Sequence, residues 1–286
     1  MTKISDTQGD NFIVDSHIHL WDLEKFEYSW MPRDAAVIRR NYLPQDIKRL
    51  MERNGVSKVV LVQAEESVEE TEFLLDLAEA NEFIGAVVGW VDLSDPNVGN
   101  QLESLALRPK LIGVRNLLTL HPDDAWLSRA NSIRGLVELD KHDLSYDLLI
   151  QPRHLKYVPQ LVEQIPGLRI VVNHIAIPPM ASGEMEPWAT DLATVASIPT
   201  VYCKISGLFA EFYYAPWKTD DIKPYVEYVV NQFGFDRVMW ASDWPPCLMG
   251  ASYDQALDVA LECIGPISPE DKAKFLGGNA TNFYRL

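Results

Sequence analysis

The sequence predicts an α/β fold, a single distorted (β/α)8 barrel of parallel strands and helices spanning residues 1–286. Three observations predict it. Short β-branched runs alternate with longer amphipathic stretches from one end to the other, the pattern of a parallel sheet covered by helices. Eight such runs are present, the number that closes a sheet into a barrel. The 286 residues, 47% of them hydrophobic, match the length of such barrels, typically about 250 residues, with no second domain. An open doubly wound sheet would ordinarily carry a glycine-rich phosphate turn after its first strand. Here that place holds Ser16-His17-Ile18-His19.

The elements follow in order. Phe12–His17 opens with Phe12, Ile13 and Val14, a short buried strand. Pro44–Arg53 is helical, opened by Leu43 and Pro44. Ser57–Gln63 is the second strand, and Ser67–Asn81 the next helix, with Ser67 as N-cap and Glu70 three residues on forming a capping box. Two strands, Gly85–Val91 and Ile112–Asn116, precede a helical stretch in two pieces, Asp123–Lys141. The remaining strands are Asp147–Gln151, Arg169–His174, Thr200–Lys204 and Arg237–Ser242. Their helices are His154–Gln164, Trp188–Ala196, Asp221–Phe233 and Tyr253–Cys263. Ile177-Pro178-Pro179 and Phe209–Trp217 read as longer loops on the rim.

Charge narrows the partners. The formal net charge is −16, from 41 acids against 25 bases, a field that repels nucleic acid and anionic membrane. No apolar run approaches the roughly 20 residues of a membrane helix. Met1 to Asn11 is polar, without the apolar stretch of a signal peptide, so a cytoplasmic protein is expected. Cys203, Cys247 and Cys263 show no metal-type spacing, and an odd count argues against a disulfide framework. The sequence leaves the oligomeric state open, a homo-oligomer included.

Chemistry gathers at the strand ends. On an alternating strand His17 and His19 point the same way, half of a metal site or a cluster able to polarise and protonate. Active sites of such barrels lie at the carboxyl ends of the strands. Those ends supply His17, His19, Gln63, Trp90 with Asp92, Arg115, Gln151, His174, Lys204 with Ser206, and Asp243. Each has a plainer use. His174 could be a satisfied core histidine, Arg115 a rim ion pair, Lys204 a snorkelling side chain, and Gln63 and Gln151 loop caps. Asp243 differs, because the Trp244-Pro245 that follows limits its water. Desolvation raises a carboxylate, nearby imidazolium or metal lowers it, and that tuning suits a general base. With Arg115 and Lys204 to hold a carboxylate or oxyanion, the set reads as hydrolysis at an activated carbonyl. No Gly-x-Ser-x-Gly elbow or catalytic cysteine motif is present, which favours attack by water.

The string Asp15-Ser16-His17-Ile18-His19-Leu20-Trp21-Asp22, then Tyr28-Ser29-Trp30, resembles the opening of the lactonase-like branch of the amidohydrolase superfamily. That branch holds L-fuconolactonases, L-rhamnonolactonases and 2-pyrone-4,6-dicarboxylate lactonases. The likeness continues through Val88-Gly89-Trp90-Val91-Asp92-Leu93, Gly113-Val114-Arg115 and Val172-Asn173-His174. It closes with Cys203-Lys204-Ile205-Ser206-Gly207-Leu208, Ser242-Asp243-Trp244-Pro245 and Gly278-Asn279-Ala280.

The resemblance implies an enzyme that opens small lactones with water. Asp243 would be the base, with His17, His19 and His174 around the carbonyl. Arg115 would bind substrate oxygens; apart from the resemblance, the strand-end residues Gln63, Trp90, Gln151 and Lys204, with Trp244, are further candidates for substrate binding. A divalent metal such as zinc, dispensable in this branch, would take His17, His19 and Asp243, with His174 as a further ligand. The pattern usually has an aspartate before the sixth-strand histidine and Ala-Lys-Pro after it. Here stand Asn173 and Ala176-Ile177-Pro178. The missing lysine disfavours a di-acid substrate and favours a neutral or singly charged lactone. Phe209, Phe212, Tyr213, Tyr214 and Trp217 offer faces for a sugar ring, or simply pack the loop. The rival on the same scaffold is a metal-dependent, non-oxidative decarboxylase of an aromatic or conjugated acid.

Overall fold

The computed structural model describes residues 12–209, 212–213 and 215–286. The polar stretch Met1–Asn11 and Tyr214 therefore lie outside the described residues. Eight parallel strands run in chain order around a nearly closed barrel. They are β1 (Ile13–Ile18), β2 (Val56–Val62), β3 (Ile84–Gly89) and β4 (Leu111–Val114), then β5 (Ser145–Leu148), β6 (Ile170–Val172), β7 (Val201–Ile205) and β8 (Val238–Trp240). Val14, Val60, Val62, Ala86, Val88, Val171 and Met239 share one buried cluster, with Phe283 and Tyr284 of the last helix packed on it. The larger core lies between strands and helices.

The helices are α1 (Pro44–Asn54), α2 (Val68–Ala80), α3 (Val98–Leu105), α4 (Ala130–Lys141), α5 (Val158–Gln164), α6 (Trp188–Ala196), α7 (Thr219–Phe233) and α8 (Tyr253–Ile264), then α9 (Pro269–Ala273) and α10 (Asn279–Tyr284). No helix of the described residues is long and apolar enough to cross a membrane. The split of Asp123–Lys141 is present, a 3-10 turn at Trp126–Ser128 ahead of α4. Between β3 and β4 the sequence pointed to no helix, yet α3 forms there. Pro96 and Asn97 before it and Gly99 and Asn100 inside it hide its signal, since these are weak helix formers.

At α2 half of the capping box holds. Ser67 Oγ accepts from Glu70 N–H at 3.0 Å. The Glu70 carboxylate, however, accepts from Ala64 N–H (3.0 Å) and Glu65 N–H (2.8 Å), so it pins the turn after β2 and not the cap itself.

The seam between β8 and β1 is closed beyond the end of β8. Asp243 N–H donates to the His17 carbonyl (3.0 Å) and His19 N–H to the Trp244 carbonyl (2.7 Å). Buried Asp15 reinforces it: its carboxylate accepts from Ser242 N–H (2.9 Å) and from the Tyr253 hydroxyl (3.0 Å). The backbone bonds that shut the barrel thus belong to the strand-end residues expected to carry its chemistry.

Candidate active site

Three imidazoles, one carboxylate and one guanidinium converge at the carboxyl ends of the strands. His17 Nε2 and His19 Nε2 lie 3.2 Å apart, with Ile18 buried between them in sequence, as strand alternation requires. Asp243 Oδ1 lies 3.8 Å from His17 Nε2, 3.5 Å from His19 Nε2 and 3.7 Å from His174 Nε2. Arg115 Nη1 is 3.2 Å from His17 Nε2. The group is nearly enclosed, His174 and Asp243 each exposing 7% of their surface.

His174 and Asp243 are held by unusual backbone. His174, Ile175, Ala176 and Ile177 all have positive φ (49–62°), and Asp243 has φ 57°. Left-handed backbone costs an L-residue roughly 1–2 kcal/mol, so the run 174–177 stores strain that its surroundings must offset. Ile177 N–H donates to the His174 carbonyl (2.8 Å), and the Trp188 indole to the Ile175 carbonyl (2.8 Å). The His174 ring is fixed through Nδ1, 2.8 Å from Ser206 Oγ.

The electrostatics separate the roles. Burial holds His17 well below the ordinary histidine range, with Lys204 adding to it. Burial also lowers His19, and lowers His174 to about 4. For Asp243 burial pushes upward, but His174, His19 and Arg115 reverse it and leave the carboxyl below its ordinary value.

The structure places the remaining expected residues as follows. Gln63 and Arg115 clamp each other: Gln63 Nε2 donates to the Arg115 carbonyl (3.0 Å), and Arg115 Nη2 donates to the Gln63 carbonyl. Arg115 is therefore no rim ion pair, although its Nε–H has no partner among the described residues. Lys204 does not snorkel. It is 0% exposed, bonded to Asp147 at 2.6 Å, and lies behind His17 with its Nζ 3.3 Å from Nδ1. Trp244 is buried, its ring edge-on to Tyr42 at 4.9 Å, so its indole belongs to the core. Trp90 lies just past β3, its backbone tied to Thr71 Oγ1 (2.8 Å) and its indole N–H without a partner among the described residues.

Gln151 takes the loop-cap use, and the strand expected to end at it is corrected. β5 ends at Leu148, and Gln151 begins a 3-10 turn where its backbone N–H meets His154 Nδ1 (3.0 Å). The apolar run Leu148-Leu149-Ile150 extended the expected strand too far. The same shift hid Asp147, a buried strand residue that the sequence showed only as a strand start. Phe209 packs on Trp217 at 4.9 Å, whose indole donates to the Gly250 carbonyl (2.7 Å), which is the packing use for these two aromatics. Asn173 is fully buried, with neither amide atom partnered among the described residues.

His17, His19 and Asp243 also make a candidate site for a divalent metal ion, their ligand atoms all within 4.8 Å of one another. Two nitrogens on a tetrahedral ion, with bonds of about 2.0–2.1 Å, stand about 3.4 Å apart, close to the separation seen here. His19 meets a second requirement of a metal ligand. Its Nδ1 donates to the Val62 carbonyl (2.8 Å), which leaves Nε2 bare and aimed at the cluster.

The chain is 37% identical over 279 residues to L-fucono-1,5-lactonase of Burkholderia ambifaria, covering 96% of each. It is 31% identical over 287 residues to L-fucono-1,5-lactonase of Burkholderia multivorans, again covering 96% of each. A crystal structure of an amidohydrolase from Burkholderia multivorans with bound zinc superposes with a TM-score of 0.89 at 30% identity, covering 96% of this chain and 99% of that one. The amidohydrolase family model matches residues 14–286. The chain belongs to the amidohydrolase family.

Proposed function

We propose that this enzyme is a lactonase that opens a neutral or singly charged sugar lactone, of the L-fucono-1,5-lactone kind, with water. The observation that carries it is the Asp243 carboxylate set 3.5–3.8 Å from three imidazoles, with Arg115 beside them, in a nearly closed site at the barrel mouth. The similarity to two proteins named L-fucono-1,5-lactonase supports the substrate class. So does the charge. Lys204 is neutralised by Asp147, leaving Arg115 as the one cation of the cluster, too little for a di-acid.

Asp243 takes a proton from water as the water oxygen bonds to the lactone carbonyl carbon. Histidine N–H groups and Arg115 stabilise the oxyanion. The ring C–O bond then breaks, and the leaving oxygen receives the proton that Asp243 holds. The product is a hydroxy acid that ionises and releases one proton to solvent. A zinc ion on His17, His19 and Asp243, when bound, would supply Lewis-acid polarisation of the carbonyl.

The test is proton release from a panel of aldonolactones, with the protein as purified and after chelation. Hydrolysis in either form supports the reading. Activity lost on chelation and restored by zinc makes the ion essential. No proton release from any lactone refutes it. The decarboxylase alternative is not favoured, because the curated relatives at 37% and 31% identity are named as lactonases.

A further inference from the structure

Behind His17 lies a buried polar group that the reaction above does not use. Lys204 on β7 and Asp147 on β5 are both 0% exposed and bonded at 2.6 Å. The Tyr284 hydroxyl of α10 donates to the same carboxylate oxygen at 2.7 Å. A buried ion pair of this kind is rarely a net gain in stability over apolar residues of similar volume. Its position points to another use, because Lys204 Nζ is also 3.3 Å from His17 Nδ1.

The neighbours decide where the His17 proton sits. On one side Nδ1 faces an ammonium, which only donates. On the other, Nε2 faces His19 Nε2 at 3.2 Å. That nitrogen is bare, because His19 uses its proton on the Val62 carbonyl. A proton on His17 Nε2 satisfies both contacts. The opposite tautomer sets two donors against each other at Lys204 and two lone pairs against each other at His19. It would gain a bond from Arg115 Nη1, 3.2 Å from Nε2, one contact against two lost.

We propose that Lys204, held by Asp147 and Tyr284, is a positioning residue that keeps the His17 proton on Nε2. When substrate binds, that proton turns from His19 Nε2 to the substrate oxygen, and the same arrangement opposes a divalent ion at that nitrogen. An ion ligated by His17 Nε2 moves the proton to Nδ1, where Lys204 stands. Lys204 and the ion are therefore antagonists on one imidazole. The role assigned to His17 in catalysis rests on the lactonase reading; the tautomer and the antagonism do not.

The first measurement uses the wild-type chain, 15N-labelled at its 6 histidines and freed of divalent ions by chelation. Long-range 1H–15N correlation spectra give each ring's tautomer, with His17 assigned through His17→Asn. The expected result is a bare Nδ1 and a protonated Nε2. A proton on Nδ1, or on both nitrogens, overturns the proposal. The second is calorimetric zinc binding to the Asp147→Asn/Lys204→Met double variant, which leaves no single charge buried without its partner. Zinc should bind about tenfold or more tightly than to wild type, while kcat for the lactone falls about 10–100-fold with KM changed less. Unchanged zinc affinity overturns the antagonism. Should the variant fail to fold, the wild-type spectrum decides alone. A wild-type protein inert toward every lactone removes the catalytic role and leaves the spectrum standing.

Discussion

Gly207 offers the sharpest perturbation of the site at a distance from its chemistry. It follows Ser206 with φ +63°, a conformation L-residues rarely take. A Cβ there would lie 2.7 Å from both Cβ and Cγ of His174 and 2.9 Å from its Nδ1. Ordinary carbon contacts are about 3.5–4.0 Å, so Gly207→Ala must push the His174 ring away by about 1 Å. The ring is pinned between Ser206 and Asp243 and has no room to move without leaving one of them. The left-handed backbone costs about 1–2 kcal/mol and the overpacking about 1–3, a loss of about 2–5 kcal/mol in stability. A catalytic group misplaced by about 1 Å costs on the order of 100-fold in turnover.

Gly55→Ala is the control. Its φ is +68°, yet nothing lies within 4 Å of the added atom. It should lose only the backbone part, about 1–2 kcal/mol, and keep full activity. Urea unfolding and initial rates of lactone hydrolysis measure the two effects separately. A folded Gly207→Ala protein within about threefold of wild-type turnover would refute the claim that His174 must hold this position.

Asp243→Asn should cut lactone turnover by about two orders of magnitude or more at nearly unchanged stability, and near-normal turnover would remove its role as base. Arg115→Met should raise KM by about tenfold or more, and should cost about 1.5–3 kcal/mol because its bond to the Gln63 carbonyl goes too. A pure loss of kcat would move its role into the transition state. Glu70 carries a pH dependence. Burial raises its carboxyl from 4.5 to about 7, so the folded state prefers the protonated acid. Its contribution is full below the unfolded value of 4.5 and is lost as pH rises through about 7. Glu70→Gln should therefore match wild type near pH 4 and exceed it by about 3 kcal/mol at pH 8, measured by urea unfolding. An equal difference at both pH values would show that Glu70 does not titrate in this range.

The residues that meet at the mouth were legible because strand ends in a barrel share one face, and that rule places His17, His19, Arg115 and Asp243 together before any contact is known. What the sequence hid is of two kinds. Local signals misled where apolar runs outlast their strands, as at Leu148–Ile150, and where a helix begins on weak formers, as at Asn97–Asn100. Long-range partners left no local signal at all. Lys204 looked like a substrate-holding or a snorkelling side chain because Asp147 and Tyr284 are remote in the chain, and Glu70 looked like half of a cap because the turn it pins lies upstream.

The seam explains why the strained residues are tolerated. Asp243 takes a left-handed conformation in the same segment that shuts the barrel, donating to the His17 carbonyl while Trp244 accepts from His19. Opening the seam would relieve the strain at Asp243 but expose the edges of β1 and β8 and leave Asp15 buried without Ser242. The strain is therefore opposed by the closing of the whole sheet, not by any one contact. It follows that Asp243 cannot drift from His17 and His19 while the barrel stays shut, because their backbones are bonded to each other. The carboxylate and the imidazoles are registered by the ladder itself, and chemistry needing their separation fixed within a few tenths of an ångström is placed at the one seam where closure fixes it.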